Sequence, residues 1–153
     1  MRIQCATAII DATLGQLREA GNAQREGIIL WLGQREPSSI RVTRAYRPQH
    51  TAQADMFHIP RAGMAAMHDE LRRHRVMVAA QVHSHPFEAF HSKADDRWAI
   101  VRHEGALSLV VPYFARNTTL MNFLEHTKVY RFSASAQWIE VPGADVLQCL
   151  QII

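Results

Sequence analysis

The chain has 153 residues, 48% of them hydrophobic and 20% charged, which suits one domain with a sizeable core. Its net charge of +3 comes from 17 Lys and Arg against 14 Asp and Glu. These cations are scattered apart from Arg72-Arg73-His74-Arg75, with no RNA-recognition or zinc-finger motif beside them, so nucleic acid is not the expected ligand. No apolar stretch approaches the roughly 20 residues that span a membrane, no secretory leader is evident, and Cys5 and Cys149 are too few for a disulfide framework, so a reduced, cytoplasmic protein is expected.

In chain order, Ile9, Ile10, Thr13, Leu14 and Leu17 recur at helical spacing, which predicts a helix over 8–18 ended by Gly21 and Asn22. Gly27 to Leu32 reads as a buried strand closed by Gly33. A turn at Pro37-Ser38-Ser39 leads into an alternating strand from Ile40 to Tyr46. A polar connection runs from Arg47 to Asp55, and a short strand from Met56 to Ile59 precedes Pro60. Arg61 to His74 forms an amphipathic helix carrying Met64, Met67, His68 and Leu71. The run Val76 to Val82 is a strand, and Ser92 opens a helix with Ala94, Trp98 and Val101 on one stripe and Gly105 as its stop. Ala106 to Val111 is a second core strand ended by Pro112. Lys128–Phe132 and Gln137–Val141 form a late hairpin. Strands mixed with three helices give a single-domain α/β protein over residues 1–153. Trp31, Trp98 and Trp138 are expected in the core, with an edge Trp able to line a peptide groove.

The chemistry concentrates in His83-Ser84-His85-Pro86 followed by Ser92-Lys93-Ala94-Asp95. Residues two apart on a strand share a face, so His83 and His85 can present two imidazoles to one point. Pro86 stops the strand pairing. Ser92 is a good N-cap, and Asp95 three residues on can reach back to the helix start as in a capping box. Two imidazoles and one carboxylate make a ligand set typical of catalytic zinc, with a fourth position open to water. His91, in the loop, reads as a substrate contact or an exposed side chain rather than a third imidazole ligand. His68 and His74 lie six apart and do not share a helical face as a zincin pair would. The cysteine pair of zinc deaminases is missing.

This constellation resembles the JAMM (JAB/MPN+) zinc isopeptidases, whose pattern is an upstream Glu, then His-x-His-Pro, a loop, and Ser-x-x-Asp. The upstream acid here is Glu26, at the start of an apolar strand that ends in Gly. The usual family spacing counted from His85 falls on Lys93 and Asp96. Placing a one-residue deletion in the Phe87–His91 loop keeps Ser92 and Asp95 as a unit, with Asp96 as the alternative ligand. The resemblance implies an MPN/JAB-like, cytidine-deaminase-like fold with a central mixed sheet flanked by helices. It implies zinc on His83, His85 and Asp95, Glu26 as general base, and Ser92 helping to stabilise the oxyanion. The implied substrate is the C-terminal tail of a ubiquitin or ubiquitin-like protein, in a bacterial conjugation system with E1-like and E2-like partners, including anti-phage defence systems. The alternatives are a non-catalytic MPN scaffold, or a zinc hydrolase acting on a sulfur-carrier protein or a small peptide.

Overall fold

The computed structural model describes residues 1–52, 57–97 and 99–153. Its elements are β1 (Arg2–Cys5), α1 (Thr7–Asn22), β2 (Ile28–Arg35), β3 (Ser39–Tyr46), β4 (Thr51–Ala52), β5 (Phe57–His58), α2 (Arg61–His74), β6 (Met77–Ser84), α3 (Lys93–Arg97), β7 (Leu107–Val111), α4 (Phe123–His126), β8 (Lys128–Phe132), β9 (Trp138–Glu140), α5 (Val146–Cys149) and β10 (Leu150–Ile152). Eight strands form one mixed sheet in the order β10-β1-β3-β2-β6-β7-β8-β9, while β4 and β5 pair with each other.

β2 explains why helices cover both faces. Its side chains alternate: Ile29 and Trp31 enter one core with Ile10, Leu14 and Leu17 of α1, and Ile28, Leu30 and Leu32 enter another with Met67 of α2. A continuous apolar run is what a strand buried on both faces requires. The Trp31 indole N–H donates to Thr13 Oγ1 at 2.9 Å, and the Thr13 hydroxyl donates to the Ile9 carbonyl at 2.8 Å. This fixes α1 on the sheet with its buried polar atoms satisfied.

Several expectations need correction. Gly33 does not close β2, which runs on to Arg35. The pairing register with β3 shifts between Leu32 and Gly33, and a Cβ at Gly33 would sit 2.7 Å from the Arg41 carbonyl oxygen. Glycine here allows a close backbone approach at an irregularity inside the strand. The helix after Ser92 covers only Lys93–Arg97, so Val101 lies beyond it; Val101 is nevertheless buried, against β2 and α2. Trp98 and Met56 lie outside the described residues. Trp138 is half-buried rather than in the core. β1 and β10 were not anticipated: each offers too few residues for a period to register, and they are defined by parallel pairing with each other. α2 and β8 have the expected limits. No described helix is long and apolar enough to cross a membrane.

Candidate metal centre

The antiparallel pairing of β2 with β6 positions the first half of the site. Ile28 faces His83 and Ile29 faces Val82. Continued past the strand ends, the same register sets Glu26 opposite His85. Two bonds hold this join: the Ser84 amide donates to the Gly27 carbonyl at 3.1 Å, and the Gly27 amide donates to Ser84 Oγ at 2.9 Å. Ser84 thus points away from the two histidines that flank it and ties the Glu26 segment to β6. On the other side β6 runs parallel to β7, with Ser84 opposite Val111. The His85 amide donates to the Val111 carbonyl at 2.9 Å, so the extended path continues past Ser84.

Asp95 arrives from α3 through the reciprocal cap anticipated from the sequence. Its amide donates to Ser92 Oγ at 3.0 Å, and the Ser92 amide donates to Asp95 Oδ2 at 2.8 Å. The carboxylate then lies 3.2 Å from His83 Nε2 through Oδ1 and 3.1 Å from His85 Nε2 through Oδ2. Glu26 Oε1 is 3.8 Å from His85 Nε2. His83, His85, Asp95 and Glu26 are all at least 97% buried, with 0%, 3%, 3% and 1% exposure. Burial pushes the Asp95 carboxyl upward, but the adjacent His83 charge and hydrogen bonds from His83, His85 and the Ser92 amide outweigh it and hold the group well below the usual carboxylate range.

This donor set fits a metal ion. One ligand atom from each of His83, His85 and Asp95 lies within 4.8 Å of the others. In a tetrahedral shell with bonds of about 2.0–2.1 Å, ligand atoms stand about 3.3 Å apart, close to the two imidazole–carboxylate separations. A buried anion facing two imidazoles is the arrangement a shared cation stabilises. Asp96, the alternative ligand, is turned away: its carboxylate lies 2.6 Å from His91 Nδ1.

His91 departs most from expectation. Its ring is neither exposed nor among the group that could hold a metal ion; the side chain is 4% exposed. Nε2 lies 3.1 Å from Ser108 Oγ, which in turn accepts from Gln81 Nε2 at 3.1 Å. The His91 amide donates to the Tyr130 hydroxyl at 3.1 Å, and the ring packs on Tyr130 and Trp138 with centroids 4.9 and 5.4 Å away. Burial pushes this imidazole's pKa down, and the charge of His83 adds to the effect. Sequence reasoning missed this set because its members come from five separate segments: β6, the segment before α3, β7, β8 and β9. The one local hint is the His91–Asp96 interval, five residues apart across a helix start.

The rim of the site is apolar. Phe90 is 53% exposed and lies edge-on to the His85 ring at 4.7 Å, and Phe87 is 73% exposed. A cavity of about 440 Å³ opens on the Glu26 side, with Arg25, Arg47, His50 and Glu19 in its walls.

The chain is 32% identical over 147 residues to a Sinorhizobium fredii protein named "Probable metalloprotease y4jG", spanning 94% of this chain and 89% of that protein. The fold is similar to the solution structure of protein DSY2949 from Desulfitobacterium hafniense, with a TM-score of 0.71 at 16% identity, covering 99% of this chain and 92% of that one. No family model matches the sequence.

Proposed function

The chain belongs to the same metalloprotease family as y4jG, and from that premise we propose that it is a zinc-dependent peptidase or isopeptidase of the JAMM type. It would cleave after the C-terminal tail of a ubiquitin-like protein, to mature a precursor or to release a conjugate. The observation that carries this reading is the convergence of His83, His85 and Asp95 on one point, with the Glu26 carboxylate 3.8 Å from His85 Nε2.

In this reading His83, His85 and Asp95 hold the zinc. When bound, zinc lowers the pKa of a water molecule toward about 7 and polarises a carbonyl. Glu26 takes the proton of the attacking water and delivers it to the departing amine, whether an α-amine or a lysine ε-amine. Ser92 has its oxygen engaged by the Asp95 amide as an acceptor, which leaves its O–H to donate to the oxyanion. No acyl-enzyme forms: water attacks the carbonyl carbon, the C–N bond breaks, and the proton taken by Glu26 ends on nitrogen. A scaffold would have no need of a general base set beside the His83, His85 and Asp95 group, with Glu26 Oε1 3.8 Å from His85 Nε2.

E1-like and E2-like proteins of a bacterial conjugation system are the proposed partners, and the cytoplasm the proposed compartment. The test is to load the protein with zinc and incubate it with ubiquitin-like proteins fused through their C-terminal glycine to a reporter, then read the products by mass spectrometry. Cleavage directly after the tail supports the reading. Metal binding without cleavage of any ubiquitin-like fusion, but with hydrolysis of unrelated peptides, would replace the substrate class.

A further inference from the structure

We propose that His91 is a positioning residue for the metal, a clamp that holds the amino end of α3 at the distance from β6 at which Asp95 can complete the ligand set. The proposal rests on the reading of His83, His85 and Asp95 as metal ligands.

The hydrogen-bond directions in this clamp are fixed by chemistry. An ionised carboxylate only accepts, so His91 Nδ1–H donates to Asp96 Oδ1 across 2.6 Å. Nε2 is then the acceptor and takes the hydroxyl proton of Ser108, 3.1 Å away. The Ser108 oxygen accepts from the Gln81 amide at 3.1 Å, and Gln81 Oε1 accepts from the Ile100 amide at 2.8 Å. The chain Gln81–Ser108–His91–Asp96 therefore runs from β6 through β7 to α3 with every direction consistent. Both strands carry it in their buried interior, since Gln81 and Ser108 are 0% exposed. Gln81 stands two residues before His83 on the same strand.

The order Ser108–His91–Asp96 is that of a nucleophile, base and orienting acid, but Ser108 cannot be a nucleophile. It has no exposed surface, and its oxygen already accepts from Gln81. What the ring does is mechanical. α3 is only five residues long, too short to be stable alone, and it presents a metal ligand in its first turn. The Ser92–Asp95 cap shapes that turn but does not tie it to the sheet. His91 supplies that tie, one residue before the cap, with its ring wedged against Tyr130 and Trp138 and 6.2 Å from His83. In a chain one residue short of the expected loop spacing, the clamp sets which acid faces inward: with Asp96 held by His91, Asp95 is left to face the histidines.

The test compares zinc affinity, by chelator competition, and the visible spectrum of the cobalt(II)-substituted protein, which reports coordination geometry. His91→Ala removes no ligand, yet zinc affinity is expected to fall by about 10-fold to 100-fold, the range over which partners outside the ligand shell act, with an altered cobalt spectrum. Asp96→Ala alters an exposed side chain and so serves if His91→Ala does not fold. It is expected to weaken zinc in the same direction, while Asp96→Asn, which keeps an acceptor oxygen, stays near wild type. Wild-type zinc affinity and cobalt spectrum in both alanine variants would overturn the proposal. So would an Asp96→Asn protein as weak as Asp96→Ala, which would mark a charge effect through space. Loss of zinc from His91→Ala as complete as from His83→Ala would make His91 a ligand instead. If the wild-type protein binds neither metal, it is the metal reading that fails.

Discussion

Glu26 is a carboxylate with 1% of its surface exposed, and the β2–β6 register, continued past Ile28 and His83, sets it opposite His85. That placement makes a sharp expectation. Glu26→Gln keeps size and polarity, so under the proposed function the variant should bind as much zinc as the wild type by metal analysis while turnover falls by about 10²-fold to 10⁴-fold, the range for loss of general acid–base catalysis. Near wild-type turnover in that variant would remove Glu26 from the chemistry. At this scale the sequence was informative where spacing carries the geometry. Two histidines two apart on a strand, and a Ser and Asp three apart at a helix start, can be read directly, and the structure brings Glu26, His83, His85, Ser92 and Asp95 to one place. The task of Asp96 could not be read in the same way. Its link to His91 depends on how the segment between β6 and α3, residues 85–92, folds back over β7 and β8, and nothing local in the sequence specifies that path.

At the scale of elements, the helices and strands with long periodic patterns were legible, and those defined by distant pairing were not. α1 and α2 follow their apolar stripes, and β2 follows its continuous apolar run. β1 has only Ile3 and Cys5 on its inward face, and its identity comes from lying between β3 and β10. The seam between α1 and β2 is open to measurement. Thr13→Val matches the threonine in shape but removes the acceptor for the Trp31 indole, leaving a buried N–H without its partner. Stability should fall by about 1–3 kcal/mol, visible as a lower urea midpoint with an unchanged slope, while zinc stoichiometry stays the same. A variant as stable as the wild type would show that the indole finds another acceptor.

For the molecule as a whole, both cysteines are free thiols, as the low cysteine count suggested. Cys5 lies in the core beside α1, and burial pushes its pKa up to about 12; burial also raises that of the half-buried Cys149. A raised pKa keeps the thiol protonated, and the thiolate is the reactive form. At pH 8 the folded protein should therefore label slowly with a maleimide, and Cys5 should react only at the rate of global unfolding. Rapid modification of Cys5 in native buffer, located by peptide mapping, would contradict the packing of β1. The general class, α/β, was legible from the mixture of strand and helix patterns, whereas the central mixed sheet flanked by helices was what the resemblance implied. The strand order was not, because it is set by pairings between segments as far apart as Ile3 and Leu150.

After Pro112, Tyr113, Phe114 and Ala115 take φ values of 54°, 52° and 61° in succession, a left-handed turn that costs side-chain-bearing residues about 1–2 kcal/mol each. Its amides secure the segment that follows β6: Tyr113 N–H donates to the Phe87 carbonyl and Phe114 N–H to the His85 carbonyl, each at 2.8 Å. Gly21 lies bare against Phe114, where a Cβ would come within 2.4 Å of the Phe114 Cβ. Glycine usually loosens a fold, but at position 113 it would relieve the backbone. Tyr113→Gly is expected to raise the melting temperature while slowing turnover, because the loop after His85 gains slack as the strain leaves. Heat resistance and speed would then pull in opposite directions at a single residue, and selection for one would be visible as a loss of the other.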